Sequence, residues 1–184
     1  MKRLILAALA SALAVMLWGF VFWAGGGASV GFSSMTSENE RVVQEVLRSE
    51  LPETGTYVLP DMESGAPVAE WTARHLAGPI AFLHVTQAGA DPMSPRIYVL
   101  GFFHMFLTAL MLGLLMQRTV PAAAGWSARV GLAVVLGVLV AFWSNLSDPI
   151  WFYQPWGYHL VTSFYDVAAF AIMGAVLGKL VPGE

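Results

Sequence analysis

IYVLGFFHMFLTALMLGLLMQ, residues 97–117, is the stretch on which the reading of this chain turns. It holds no Asp, Glu, Lys or Arg, and His104 is its one histidine. At about 1.5 Å of rise per residue such a helix measures about 31 Å, close to the roughly 30 Å hydrocarbon thickness of a bilayer. Working outward from it, three further apolar runs occupy about residues 4–24, 130–145 and 159–178. Hydrocarbon offers no partner to a backbone N–H or C=O, so segments of this kind must pair those groups internally, as helices. The predicted fold class is therefore membrane all-α: a four-transmembrane-helix bundle with a small α+β extracytoplasmic module between helices 1 and 2. Its parts are helix 1 at 1–24, the module at 25–95, and helices 2 to 4 with short loops at 96–184.

Composition agrees and excludes several classes. Hydrophobic residues make up 57% and charged residues 11% of the chain, and 184 residues leave no room for a large soluble domain beside the helices. The formal net charge is −3 with Lys and Arg scattered, so the basic footprint of a nucleic-acid binder is missing. There is no cysteine, hence no disulfide, thiolate metal site or Cys nucleophile. The N-terminus imitates a secretory signal, with Lys2-Arg3, an apolar run and then small residues from Gly25 to Ser29. Leu4 to Ala24 is longer than the usual signal core of about 7–15 residues, so an uncleaved anchor is expected.

Orientation follows from charge. Lys2, Arg3, Arg118, Arg129 and Lys179 all fall on one side of four alternating helices, whereas residues 146–158 carry no Lys or Arg. The positive-inside bias then predicts a multi-pass inner-membrane protein with both termini cytoplasmic and residues 25–95 periplasmic. Trp23, Tyr98, Trp143, Trp151, Tyr153, Trp156 and Tyr158 gather at the predicted outer boundary, where amphipathic rings prefer to sit. Small residues recur one turn apart, as in Ala7 with Ser11, Ala109 with Gly113, Ala133 with Gly137 and Ala141, and Gly174 with Gly178. That spacing lets helix backbones approach and predicts a compact bundle.

The segment between helices 1 and 2 has regular signals of its own. Ser37 and Glu40 fit a capping box, and Val42, Val43, Val46, Leu47 and Leu51 recur at helical spacing until Pro52, which predicts a helix near 38–51. Residues 56–59 and 80–86 read as two paired strands, with a short helix at 68–76 containing Trp71. His84 alternates with Ile80 and Phe82 on one strand face and is read as a half-buried sheet residue. Ser94-Pro95 predicts a capped start to helix 2.

Polar groups inside apolar runs are the natural functional candidates. His104 and Asp166 are expected at matching depth, roughly 12 Å below the outer boundary by helical rise. A lone carboxylate there costs about 2.5–3.5 kcal/mol on insertion scales, so Asp166 should either be protonated or find a donor in the bundle, and His104 is the expected one. Thr108 lies one turn below His104, while His159 and Thr162 share the face of Asp166, and Asn145 closes helix 3 near the same boundary. His104, Thr108, Asn145, His159, Thr162 and Asp166 form the candidate binding set, with His104 and Asp166 as the candidate catalytic pair. The plainer role for that pair is one interhelical bond that fixes register. His159 lies about 10 Å nearer the surface than the other two, too far for a shared metal, so no metal site is expected. No cofactor is predicted either, although His104 alone could ligate a haem or pigment.

Trp18-Gly19, Leu51-Pro52-Glu53-Thr54-Gly55-Thr56-Tyr57, Gly78-Pro79 and Pro92-Met93-Ser94-Pro95 resemble the pattern of a group of small four-helix bacterial inner-membrane proteins. The resemblance spans most of the chain. It implies a layout, one outer segment followed by three clustered helices, and attaches no activity or functional residue.

Two functions follow as expectations. The first is a non-catalytic accessory or scaffold subunit, packed against a larger membrane-protein complex or a second copy of itself within the lipid bilayer. The second is a small membrane enzyme or a lipid-, quinone- or pigment-binding protein with a His104–Asp166 site beneath the outer module. A proton path is disfavoured, because below Thr108 and Asp166 helices 2 and 4 stay apolar until Gln117 and Lys179.

Overall fold

The computed structural model describes residues 1–121 and 123–181. The chain is mostly helical, with four helices long and apolar enough to cross a membrane and one two-stranded sheet. It divides into two compact units: residues 1–32, 93–147 and 156–184, and residues 33–92 with 148–155.

The first unit holds the long helices. Helix α1 (Lys2–Phe22) runs into a widened π-turn (Trp23–Gly27) and a short helix α2 (Ala28–Gly31). Gly26 is at φ 116°, a conformation closed to side-chain-bearing residues, and this bend is why the Gly25-Gly26-Gly27 run sits where it does. After the second unit come α5 (Pro95–Thr119), α6 (Trp126–Val140) with a second π-turn (Ala141–Asn145), and α8 (Trp156–Leu180). Pro95 takes the first position of α5, as its fixed φ and missing N–H favour, but Ser94 makes no side-chain capping bond.

Packing departs from a symmetric bundle. Helix α1 packs on both α5 and α8, and α8 packs on α6, while α5 meets α8 and α6 only slightly. The buried core lies toward the Lys2 end of α1, in Leu4, Ala8, Leu112, Met116, Met173 and Leu177. Small residues make the closest approaches possible. A Cβ placed on Gly174 would stand 2.5 Å from the Ala133 Cβ, and one on Gly137 would stand 2.8 Å from the Phe170 Cβ. One on Gly113 would collide with Leu4 of α1 and press on Leu177 of α8.

Arg129, expected just outside the third apolar run, lies inside α6 and is buried. Its guanidinium donates to the carbonyls of Gly178 and Val181 and so satisfies the orphan acceptors at the end of α8. Beside it the Trp126 indole donates to the Ala175 carbonyl at 2.9 Å and lies under the Lys179 ammonium. A cation at a helix C-terminus is favourable for the same electrostatic reason.

The second unit contains α3 (Ser37–Glu50), α4 (Val68–Ala77), α7 (Ser147–Phe152, of which Ser147 belongs to the first unit) and the antiparallel pair β1 (Gly55–Leu59) and β2 (Ala81–Val85). The pairing runs from Gly55 opposite Val85 to Leu59 opposite Ala81. The capping residue of α3 is Thr36, one place earlier than the predicted Ser37, and its hydroxyl accepts from the Asn39 N–H at 3.2 Å. Gln87 closes the other end, its amide donating to the Leu47 and Leu51 carbonyls. His84 is exposed rather than half-buried, because its place opposite Thr56 lets the ring reach the Thr56 hydroxyl at 3.1 Å.

Candidate functional site

Asp166 lies on α8, half-buried, and one of its carboxylate oxygens accepts a 2.8 Å hydrogen bond from the side-chain amide of Asn145. The π-turn makes this possible. The Leu146 N–H donates to the Ala141 carbonyl five residues back, so the turn holds one residue more than an α-turn and swings Asn145 toward α8. The expected donor, His104, is not the one used. Asn145 takes that place, because α5 carries His104 along the flank of α1 and makes only slight contact with α8.

The other predicted site residues separate along the same lines. His104 is exposed on α5, and its ring makes no hydrogen bond among the described residues. The Thr108 hydroxyl donates to the His104 carbonyl at 2.9 Å, within its own helix. Thr162 does likewise, to Tyr158 and His159 at 3.1 Å each, so both threonines are satisfied locally by back-bonding. His159 is buried and its ring meets Tyr158 edge-on at 5.2 Å. Among the described residues no three His, Asp or Glu side chains gather as metal ligands would.

Next to Asp166 stands a cluster that sequence reasoning had not assembled. Tyr165 stacks on Trp18 with the ring planes 11° apart, and the Trp18 indole donates to the Tyr165 carbonyl at 3.3 Å. Gly19 makes room for the phenol, since a Cβ there would stand 3.0 Å from the Tyr165 hydroxyl. Trp18-Gly19 stands out in the sequence as a dipeptide, but its use as a seat for a ring 147 residues further on has no local signature. Phe22 and Trp23 close on Tyr165 at 5.3 and 5.5 Å, which makes α1 and α8 one aromatic seam at this level. On the other side of that seam Met16, Gly19, Phe20, Gly101, Met105 and Tyr165 line an apolar cavity of about 500 Å3.

No protein family, curated protein or solved structure matches the chain. The arrangement just described thus stands on its own chemistry: one bond between polar side chains, one aromatic seam, and a histidine left on the flank of a long apolar helix.

Proposed function

We propose that this chain crosses an inner membrane four times, with both termini cytoplasmic and residues 25–95 periplasmic, and serves as an accessory or scaffold subunit of a larger membrane complex. Large apolar side chains stay exposed along the long helices, among them Leu13, Leu17, Met111, Val135, Leu139 and Phe142, a surface suited to lipid and not to water. The observation that carries the subunit reading is the exposed, unbonded ring of His104. It sits in a stripe with Leu100, Phe103, Leu107 and Met111, all exposed at helical spacing.

An imidazole facing hydrocarbon without a partner loses about 1–3 kcal/mol of hydrogen bonding. Ionisable groups within spanning helices almost always face protein. A helix of another subunit laid on this stripe supplies both the apolar contact and the missing partner. The paired Asp166 has no such need, which is why the two residues separate into a structural role and a docking role. Purification in mild detergent tests the proposal: a stoichiometric membrane partner is expected with the native chain and is lost with His104→Leu, while the variant itself remains folded. A chain that purifies alone in every mild detergent contradicts it.

The cavity beside Tyr165 favours one secondary reading, binding of a lipid tail or isoprenoid chain. Its lining is apolar and it lacks the His–Asp chemistry of the enzyme alternative, so it supports binding without turnover.

A further inference from the structure

Within the second unit, α4, the sheet and the segment 148–155 border an open-sided cavity of about 350 Å3 whose lining combines aromatic and acidic residues. Trp71, His75, Phe82, Trp151, Phe152 and Tyr153 supply the rings, and Asp61 and Glu63 stand at the same cavity. The rings are held as a set. Trp71 and His75 lie one turn apart at 5.3 Å, Tyr153 meets His75 edge-on at 5.6 Å, and Phe82 meets Phe152 at 5.2 Å. The Trp71 indole N–H is spent on the Pro60 carbonyl at 3.2 Å, so what this ring has left for a ligand is its π-system and not its donor.

Tyr153 is the one residue other than glycine with positive φ, at 56°, among the described residues. Bulky side chains rarely adopt that conformation and keep it only where the surroundings hold them. Here it follows directly on α7 and presents the ring to His75.

We infer that this cavity binds a methylated ammonium cation of the choline type. Aromatic faces attract a diffuse positive charge, and such cages are the common means of holding quaternary ammonium groups. Charge points the same way. The nearby Arg74 is engaged by Glu70 and Ser64, while Asp61 and Glu63 have no ion pair among the described residues. An anion would meet two carboxylates. A metal ion would find no three-ligand cluster among the described residues. A primary ammonium carries N–H donors that aromatic faces satisfy poorly, so a lining made mostly of rings suits it less than the two carboxylates alone would. A methylated ammonium has no N–H to satisfy and needs only rings and nearby negative charge.

The test uses the full chain in maltoside detergent, with choline chloride as the probe and saturation transfer to its N-methyl protons as the readout. Saturable transfer is expected for choline and is absent for its uncharged neopentyl isostere. The double variant Asp61→Asn with Glu63→Gln keeps the shape and the Asx acceptor while removing the charge, and should weaken binding about tenfold; Trp71→Phe, with a weaker π-face, should weaken it about threefold. Both variants are first shown by circular dichroism to melt as the native chain does. Equal binding of the neutral isostere, no saturable signal at all, or capture of a lysine or arginine peptide but not choline would each overturn the inference. Reconstitution separates the sources: phosphatidylcholine nanodiscs that abolish choline binding, against phosphatidylglycerol ones that do not, make the ligand a lipid headgroup. Equal binding in both makes it a free solute. The inference does not depend on the subunit proposal, since it concerns residues far in sequence from His104.

Discussion

The Asn145–Asp166 bond lends itself to a double-mutant cycle. Asn145→Leu removes the donor of a 2.8 Å contact and leaves the half-buried Asp166 carboxylate on α8 without it. Interhelical hydrogen bonds between spanning helices couple by about 0.6 kcal/mol on average and at most about 1.7. The stranded acceptor adds a desolvation penalty, on the order of 1–3 kcal/mol for a buried group and near the lower end for a half-buried one. Together these give about 2 kcal/mol of destabilisation for Asn145→Leu. Asp166→Leu removes the costly group itself and should lose about 1 kcal/mol or less, because the freed amide carries no charge. The double variant should then resemble Asp166→Leu, so the coupling energy equals the cost of Asn145→Leu, about 2 kcal/mol. Reversible unfolding in mixed micelles by increasing dodecyl sulfate measures all four corners of the cycle. Additivity to within about 0.3 kcal/mol would show that the two side chains do not interact, and the reasoning would fail.

Other expectations follow from individual contacts. Gly174→Ala should destabilise by about 1–3 kcal/mol, since its new methyl meets Ala133 and the α6 backbone, whereas Gly131→Ala, where nothing lies within 4 Å, should be neutral in the same unfolding assay. Arg129→Leu should cost about 2–4 kcal/mol and expose the end of α8 to faster hydrogen exchange near Gly178, because it removes the donor to two terminal carbonyls. Thr36→Ala should loosen the first turn of α3 by about 1 kcal/mol, readable as increased exchange at Asn39.

Much of the fold was legible because an apolar run of helical length says the same thing wherever it is read. Lys2–Phe22, Pro95–Thr119 and Trp156–Leu180 fall close to the predicted runs, and α3, α4 and the strand pair of the second unit match to within a residue or two, whereas α7 was not foreseen. The site was legible only in part. Depth adds up residue by residue along a helix, so His104 and Asp166 could be set at one level, but the order of neighbouring helices is not written in rise per residue. Asn145 stood in the candidate set, yet its role as donor hangs on a π-turn, one surplus residue in Ala141–Asn145 that no composition signals. Arg129 was misplaced for a related reason. A charge beside an apolar run reads as loop, whereas a long guanidinium can lie buried once it finds carbonyl acceptors.

The most direct measurement places a photo-crosslinking benzoylphenylalanine at position 104 in cell membranes, with Val138 on α6 as the comparison. Val138 is exposed on a flank where the account asks only for lipid. The account predicts a discrete protein adduct of fixed mass from position 104 and lipid adducts alone from position 138. Lipid adducts alone from both positions would contradict it.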